Sequence, residues 1–337
     1  MKRFGVCLSF VLLLSANQAM AWGDQGHRSI GAIAERLLKG SNAQKKLQSL
    51  LLPGESLESI TLWADCAKGF YCGPLTQEMQ DFTGANPAHN EYHYTNTPLQ
   101  QTAYQPGGPG TSGHDIVQML QQSIAVLQGR SDAQSNPHQL SQRQALLLVA
   151  HLVGDVHQPL HVGSAYIDAN NRFVMPQTQA QIDNVNIFDL RGDNNLLFAD
   201  PAYDRSNSPG QPARSQNLHF FWDITIMEQL FKQTDVATAD AFAQKILANK
   251  PVFPAMQGDL VSWPSQWVAD GLKLAKLAHQ DVQPVERKIN LDRQGVSYST
   301  WTVAVPPDYL SRSVTVAQSQ IVLGGVHLAQ LLQKIWP

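Results

Sequence analysis

The sequence predicts a mainly α-helical fold: a single helical domain with long loops and a small β-hairpin region. Three observations predict it. Apolar residues recur at helical spacing in segments spread along the chain. The longest of these, 141–157, is almost wholly apolar from Ala145 to Val153, which suits a helix buried on most sides. No internal repeat, low-complexity tract or composition break marks a second domain. The chain of 337 residues, 43% hydrophobic and 15% charged, is long enough to bury a sizeable core.

The segments follow in order. Residues 27–39 place Ile30, Ile33, Ala34 and Leu37 on one helical face, and a short helix over 43–52 stops at Pro53-Gly54. Leu57–Ala64 leads into Trp63-Ala64-Asp65. Residues 73–113, rich in Gly, Pro, Thr and Asn, read as mostly irregular around the aromatic cluster Glu91-Tyr92-His93-Tyr94. An amphipathic helix over 114–128 turns Ile116, Met119, Leu120, Ile124 and Leu127 inward. Ser141 caps the central helix, and Pro159 ends it, leaving His161 on an exit loop. Residues 163–216 read as a hairpin plus loops, and loops this long are often binding elements. Helices over 217–231, 238–248, 265–278 and 310–335 complete the count, with a turn or hairpin within 281–309.

Residues 1–21 stand apart from this core. Lys2 and Arg3, an apolar run from Phe4 to Leu14, and Ala19-Met20-Ala21 form a secretory signal with an A-x-A cleavage site. The run is too short to span a bilayer, and no second candidate span follows. Cleavage after Ala21 makes Trp22 the new N-terminus and moves the formal charge from −3 to −5, since residues 1–21 hold two bases and no acid. The export signal places the mature chain in the periplasm or outside the cell. There the two remaining cysteines, Cys66 and Cys72, read as a disulfide closing a small loop. An acidic chain does not grip long duplexes through a basic surface. If nucleic acid is the substrate, local metal charge and base contacts must hold it.

Chemistry concentrates where the central helix ends, in His151-Leu-Val-Gly-Asp155-Val-His157-Gln-Pro-Leu-His161. His151 and Asp155 are four apart and project from one face. His219 and Asp223 repeat that spacing. Singly, such residues are ordinary satisfied core or surface groups. Together with His27, Asp65, His93 and His161 they form a thiolate-free nitrogen and oxygen donor set suited to catalytic zinc. A carboxylate has two oxygens, so Asp155 can serve two metals.

These segments carry a resemblance. Trp22-Gly-Asp-Gln-Gly-His27, Trp63-Ala-Asp65, Tyr92-His-Tyr94, His151 to Gly163, Asn217-Leu-His-Phe-Phe-Trp-Asp223 and Leu323-Gly-Gly-Val-His-Leu-Ala329 resemble, in order along nearly the whole mature chain, the zinc-dependent nucleases of the S-one/P-one family. The resemblance implies a helical fold shared with zinc-dependent phospholipase C and a cluster of three zinc ions in a cleft. It implies one zinc on Asp65, His93, His151 and Asp155, a second on His161, His219 and Asp223, and a third on Trp22, His27 and the other oxygen of Asp155. Trp22 would ligate through its amino nitrogen and carbonyl oxygen, so that signal cleavage becomes part of assembling the site. The implied reaction is hydrolysis of single-stranded DNA and RNA, and of 3′-nucleotides, to 5′-phosphate products by a monomer. In it a metal-activated hydroxide attacks phosphorus while zinc stabilises the leaving 3′-oxygen.

The resemblance also assigns Lys68 as the basic residue three positions after Asp65, Tyr94 as a base-stacking aromatic, and Asn194 of Gly192-Asp193-Asn194 as a reader of base edges. Two departures stand out. Asn96 occupies a position where some relatives carry an acid, and Asp193 replaces a glycine of the family's Gly-Gly-Asn segment. His89, His114, His138, His279 and His327 have no assignable metal role, and His157 reads as a residue that either supports the ligands from behind or packs the core. The absence of an Asn-x-Ser/Thr acceptor fits a bacterial-type member. Two alternatives share the donor set: a zinc-dependent phospholipase C, and a zinc-binding protein without catalysis. The aromatic beside His93 and the Asn217–Asp223 and Gly192-Asp193-Asn194 segments favour the nuclease.

Overall fold

The structure, a computed structural model, describes residues 22–69, 72–130, 132–200, 216–249, 251–292 and 294–337. The expected signal segment therefore lies outside the described residues. The chain opens with α1 (Gly23–Leu38), α2 (Asn42–Gln48), α3 (Leu57–Ile60), α4 (Trp63–Ala67) and α5 (Gln77–Ala85), and passes through β1 (Thr97–Pro98) to α6 (Ile116–Leu127), α7 (Gln142–Asp155) and α8 (Pro159–Val162). Short strands β2 (Gly163–Ser164), β3 (Tyr166–Asp168), β4 (Phe173–Val174), β5 (Ile187–Asp189) and β6 (Leu196–Phe198) follow. Then come α9 (Leu218–Phe220), α10 (Ile226–Thr234), α11 (Ala239–Leu247), α12 (Trp263–Ala278), the hairpin β7 (Gln283–Leu291) and β8 (Ser297–Ala304), and the long α13 (Tyr309–Ile335). The mainly α-helical class expected from the sequence is what the chain adopts.

The centre of the molecule is α7. A capping box starts it: Ser141 Oγ accepts from Gln144 N at 3.1 Å while Gln144 Oε1 accepts from Ser141 N at 2.9 Å. Every residue from Ala145 to Asp155 is buried, because α1, α3, α4, α6 and α13 pack around it. Helices α1 and α13 meet closely at Gly325, where a Cβ would lie 2.6 Å from Ile33 Cβ, so any larger residue would push them apart. Strands stay peripheral. β1 pairs in parallel with β2, β3 sits between β4 and β5, and β8 lies between β6 (parallel) and β7 (antiparallel).

Two expectations need correction and one an addition. Residues 73–113 are irregular over most of their length, as expected, but they also hold α5 and a 3-10 turn over His89–His93. Two apolar anchors, Met79 and Phe82, and the Thr76 cap suffice for a helix that polar neighbours mask in the sequence. Pro159 does not simply end the central helix. α7 stops at Asp155, and Pro159 occupies the first turn of α8, where its missing N–H costs nothing. His161 therefore stands on a one-turn helix rather than an exit loop. The helix expected over 217–231 is interrupted by a π-helical turn, Phe221–Thr225.

Cys66 and Cys72 form a disulfide with Cα atoms 5.2 Å apart. Among the described residues no helix is long and apolar enough to cross a membrane.

Candidate metal centre

Four helices deliver five of the eight donor groups: α1 carries His27, α4 carries Asp65, α7 carries His151 and Asp155, and α8 carries His161. The 3-10 turn before β1 supplies His93, and α9 with its π-helical turn supplies His219 and Asp223. All eight side chains are buried. They fall into three groups whose ligand atoms lie within 4.8 Å of one another: His27, His151 and Asp155; Asp65, His93 and His151; His161, His219 and Asp223.

The separations fit a central cation. Nitrogen and oxygen donors about 2.1 Å from a tetrahedral zinc stand roughly 3.4 Å apart. Here Asp155 Oδ2 lies 2.9 Å from His93 Nδ1 and 3.1 Å from His151 Nε2, and Asp65 Oδ1 lies 3.7 and 3.6 Å from the same nitrogens. In the other group His161 Nε2 and His219 Nε2 are 3.1 Å apart, with Asp223 Oδ2 3.4 Å from His219 Nε2. Asp155 Oδ1 turns the opposite way, 3.2 Å from His27 Nε2. That pair is close but not aligned for hydrogen bonding. Asp155 Oδ1, Asp223 Oδ2 and both nitrogens of His27 are buried without a hydrogen-bond partner. Buried polar atoms left so are costly, and a metal ion in each group would satisfy its carboxylate oxygen and, in the first group, one nitrogen of His27.

Outer partners fix the rings. His151 Nδ1–H donates to Thr61 O at 2.6 Å, His161 Nδ1–H to His93 O at 2.8 Å, and His219 Nδ1–H to Gly192 O at 2.5 Å. A carbonyl only accepts, so each of these Nδ1 atoms holds the proton and each Nε2 keeps its lone pair for a metal. Gln158 Nε2 donates to Asp223 Oδ1 at 2.8 Å, which orients the carboxylate.

Electrostatics separate the groups. Burial opposes ionisation of Asp155, but His151, His27 and His93 outweigh it and hold the carboxyl well below its usual range. Burial likewise opposes ionisation of Asp65, and Lys68, His151 and His93 overcome it. Burial lowers His93 and His161 to about 3, so both rings are neutral donors. Asp223 behaves differently. Burial raises its carboxyl well above the usual range, against the Gln158 hydrogen bond, and the charges of Asp65 and Asp155 raise it further.

The remaining expected residues lie around this core. Lys68 Nζ is 2.7 Å from Asp65 Oδ1 and nearly buried. Trp22 is fully buried, its indole N–H donating to Gly154 O at 3.0 Å, while its own carbonyl accepts from Gly26 N at 3.1 Å. Tyr94 and Asn96 line a cavity of about 150 Å3 with Glu91, Tyr166 and Asp189. Asn194 is not in that lining: its side chain donates to Arg191 O at 2.9 Å and accepts from Asn217 Nδ2 at 3.4 Å. Asp189, from β5, is a wall residue that the sequence reading did not single out. Its only sequence signal was lying three positions before Gly192.

The other histidines have local partners. His89 meets Asn86 O, His114 meets Glu91, His138 meets the Tyr92 hydroxyl, and His279 meets Asp193. His157 Nδ1–H donates to Val153 O, and its Nε2 lies 2.7 Å from His327 Nδ1. His157 is thus a packing residue, as its position off the ligand stripe suggested.

A helical shell around three buried His/Asp groups, each of which could hold a metal ion, defines the class. Comparison with known proteins carries this further. The S1/P1 nuclease family matches residues 22–189 and 204–337. Endonuclease 2 of Arabidopsis thaliana is 32% identical over 96% of this chain and 94% of its own length. Endonuclease 1 of the same plant is 22% identical over 99% and 93%, and Nuclease S1 of Aspergillus oryzae is 22% identical over 97% and 96%. The chain belongs to the S1/P1 nuclease family and is a hydrolase acting on nucleic acids.

Proposed function

We propose that this chain is an exported, monomeric phosphodiesterase holding three zinc ions, and that it cleaves single-stranded DNA and RNA, and 3′-nucleotides, to 5′-phosphate products. The observation that carries the reading is the divided carboxylate of Asp155, with Oδ2 toward His93 and His151 and Oδ1 toward His27. One zinc would be held by Asp65, His93, His151 and Asp155, a second by His161, His219 and Asp223, and a third by His27, Asp155 and the main chain of Trp22. Bound there, zinc supplies Lewis acidity that activates water at neutral pH and offsets the charge of a phosphodiester.

The protein's own groups do the rest. Neutral His93 and His161 accept a cation without first losing a proton. Lys68 holds the Asp65 carboxylate at 2.7 Å and adds a positive charge beside the phosphate position, as a point charge rather than a fork. Tyr94 and Asn96, one and three residues after His93, offer a nucleobase a ring and an amide in their cavity, and Asn194 stands by at the Gly192 turn. Removal of residues 1–21 would free the Trp22 amino group, and the Cys66–Cys72 disulfide suits a chain that leaves the reducing cytoplasm. Residues 22–337 would act as one domain. A phospholipase C reading shares the donor set, but the family match and the named relatives are nucleases.

The test is product analysis of a single-stranded oligonucleotide incubated with the mature protein, before and after chelation. Chelator-sensitive release of 5′-mononucleotides is expected. An intact oligonucleotide, with zinc verified in the protein, would overturn the reading.

A further inference from the structure

The turn Gly192-Asp193-Asn194 reaches the candidate ligand His219 by two routes. The Gly192 carbonyl accepts the His219 Nδ1–H at 2.5 Å. Asn194 Oδ1 accepts from Asn217, whose own Oδ1 caps α9 at Phe220 N, 2.6 Å away. The turn is conformationally demanding, with Gly192 at φ 60° and Asp193 at φ 67°, both left-handed. At Gly192 a side chain would be crowded as well, since a Cβ would lie 3.2 Å from Leu160 O and 3.3 Å from His219 Nδ1. At Asp193 a non-glycine residue accepts the strained region, so something must hold it there.

Two anchors do. Asp193 Oδ1 accepts from Ala165 N at 3.2 Å, and Asp193 Oδ2 lies 2.9 Å from His279 Nε2 in a pair buried to 0% and 4% exposure. The His279 N–H is not aimed straight at the oxygen, so charge rather than directional hydrogen bonding joins them. His279 follows the last residue of α12, and its Nδ1–H donates to Ala275 O at 2.7 Å, where a helix end favours a cation. Burial would lower its pKa, but Asp193 and the Ala275 carbonyl reverse this and raise it. No ligand residue touches either side chain in these contacts.

We propose that Asp193 and His279 are positioning residues: a buried ion pair that ties the Gly192–Asn194 turn to the end of α12 and so fixes the ring and tautomer of His219. The inference rests on reading His219 as a metal ligand. The anchor reaches over the molecule from the strand region to α12, and it compensates for a charged residue at a left-handed position where glycine would be relaxed.

The test uses full-length mature protein and three variants. D193G suits the backbone and removes the charge, leaving His279 able to become neutral, so the fold should survive. D193N keeps the shape and the Ala165 contact. D193N/H279Q restores a neutral amide tie. Zinc affinity is read by competition with a chromophoric chelator, turnover as kcat against KM on a single-stranded oligonucleotide, and the His219 tautomer by nitrogen NMR of the chelated protein. In D193G one zinc should weaken about 10- to 100-fold and kcat should fall while KM holds. The His219 ring should become a tautomer mixture, and D193N/H279Q should recover part of each loss relative to D193N. Unchanged zinc affinity together with an unchanged His219 tautomer in D193G would overturn the proposal. Because the tautomer is read without metal, a wild-type protein that takes up no zinc refutes the function reading but leaves a D193G tautomer shift as support for the anchor.

Discussion

The two ends of the donor set are built on different principles. Around Asp65 and Asp155 the protein carries its own counter-charges: against burial, Lys68 and His151 keep Asp65 ionised, and His151 with His27 and His93 keeps Asp155 ionised. His151 itself has a raised pKa, because burial, which would lower it, loses to Asp155 and Asp65. Around Asp223 burial with neighbouring negative charge outweighs the Gln158 hydrogen bond and the charge of Lys68, and raises the carboxyl instead. The first region is organised before any metal arrives. The second holds an acid whose charge only a cation can make comfortable, because the nearest histidines, His161 and His219, are themselves lowered by burial.

The largest effect should come from Asp155→Asn, which removes the one anion shared by two groups. Metal analysis should show loss of at least one zinc, with hydrolysis down by at least about a hundredfold. Full activity and full zinc content in this variant would refute the sharing of its two oxygens.

A smaller effect, opposite in sign between the two regions, is expected for stability after chelation. A carboxyl with a raised pKa stabilises the fold only below its unfolded pKa, and that contribution is lost as pH rises through the folded value. At pH 7 Asp223 is thus a liability in the metal-free protein. Asp223→Asn should stabilise the chelated protein by about 1 kcal/mol or more while weakening zinc uptake. Asp155→Asn should destabilise the chelated protein, since it leaves His151 without its partner. Urea midpoints measured at pH 7 decide this, and a chelated Asp223→Asn protein less stable than wild type would erase the contrast.

The smallest effect lies behind the site. His157 and His327 are lowered by burial to about 3 and about 4. Groups depressed in this way contribute stability above their unfolded value of about 6.5 and lose it as pH falls through the folded values. His327→Phe keeps a ring stacked on Trp267 and removes one such proton site. The fall of the urea midpoint between pH 6.5 and pH 4 should flatten by up to about 1.4 kcal/mol per pH unit. An unchanged slope would mean that His327 is already protonated in the fold.

Much of the site was legible in the sequence because helical spacing is local physics. His151 and Asp155 share a face at four residues' separation, and α7 keeps them there. The apolar run that precedes them announced burial. Other features were not legible. The π-helical turn over Phe221–Thr225 has no local signature, and α5 was hidden by its glutamines and threonines. His279 looked unassignable because its partner Asp193 lies 86 positions away, and nothing in either neighbourhood names the other.

By itself, then, the sequence determined the helical class, the buried central helix and which side chains have donor chemistry, because periodicity and residue type are properties of short stretches. Only the tertiary structure decided which oxygen of Asp155 faces which histidine, which carbonyl fixes each ring, and which buried acids are neutralised by the protein's own cations. Those depend on distances of about 3 Å between groups far apart in the chain, and Coulombic and hydrogen-bond energies are decided at that range.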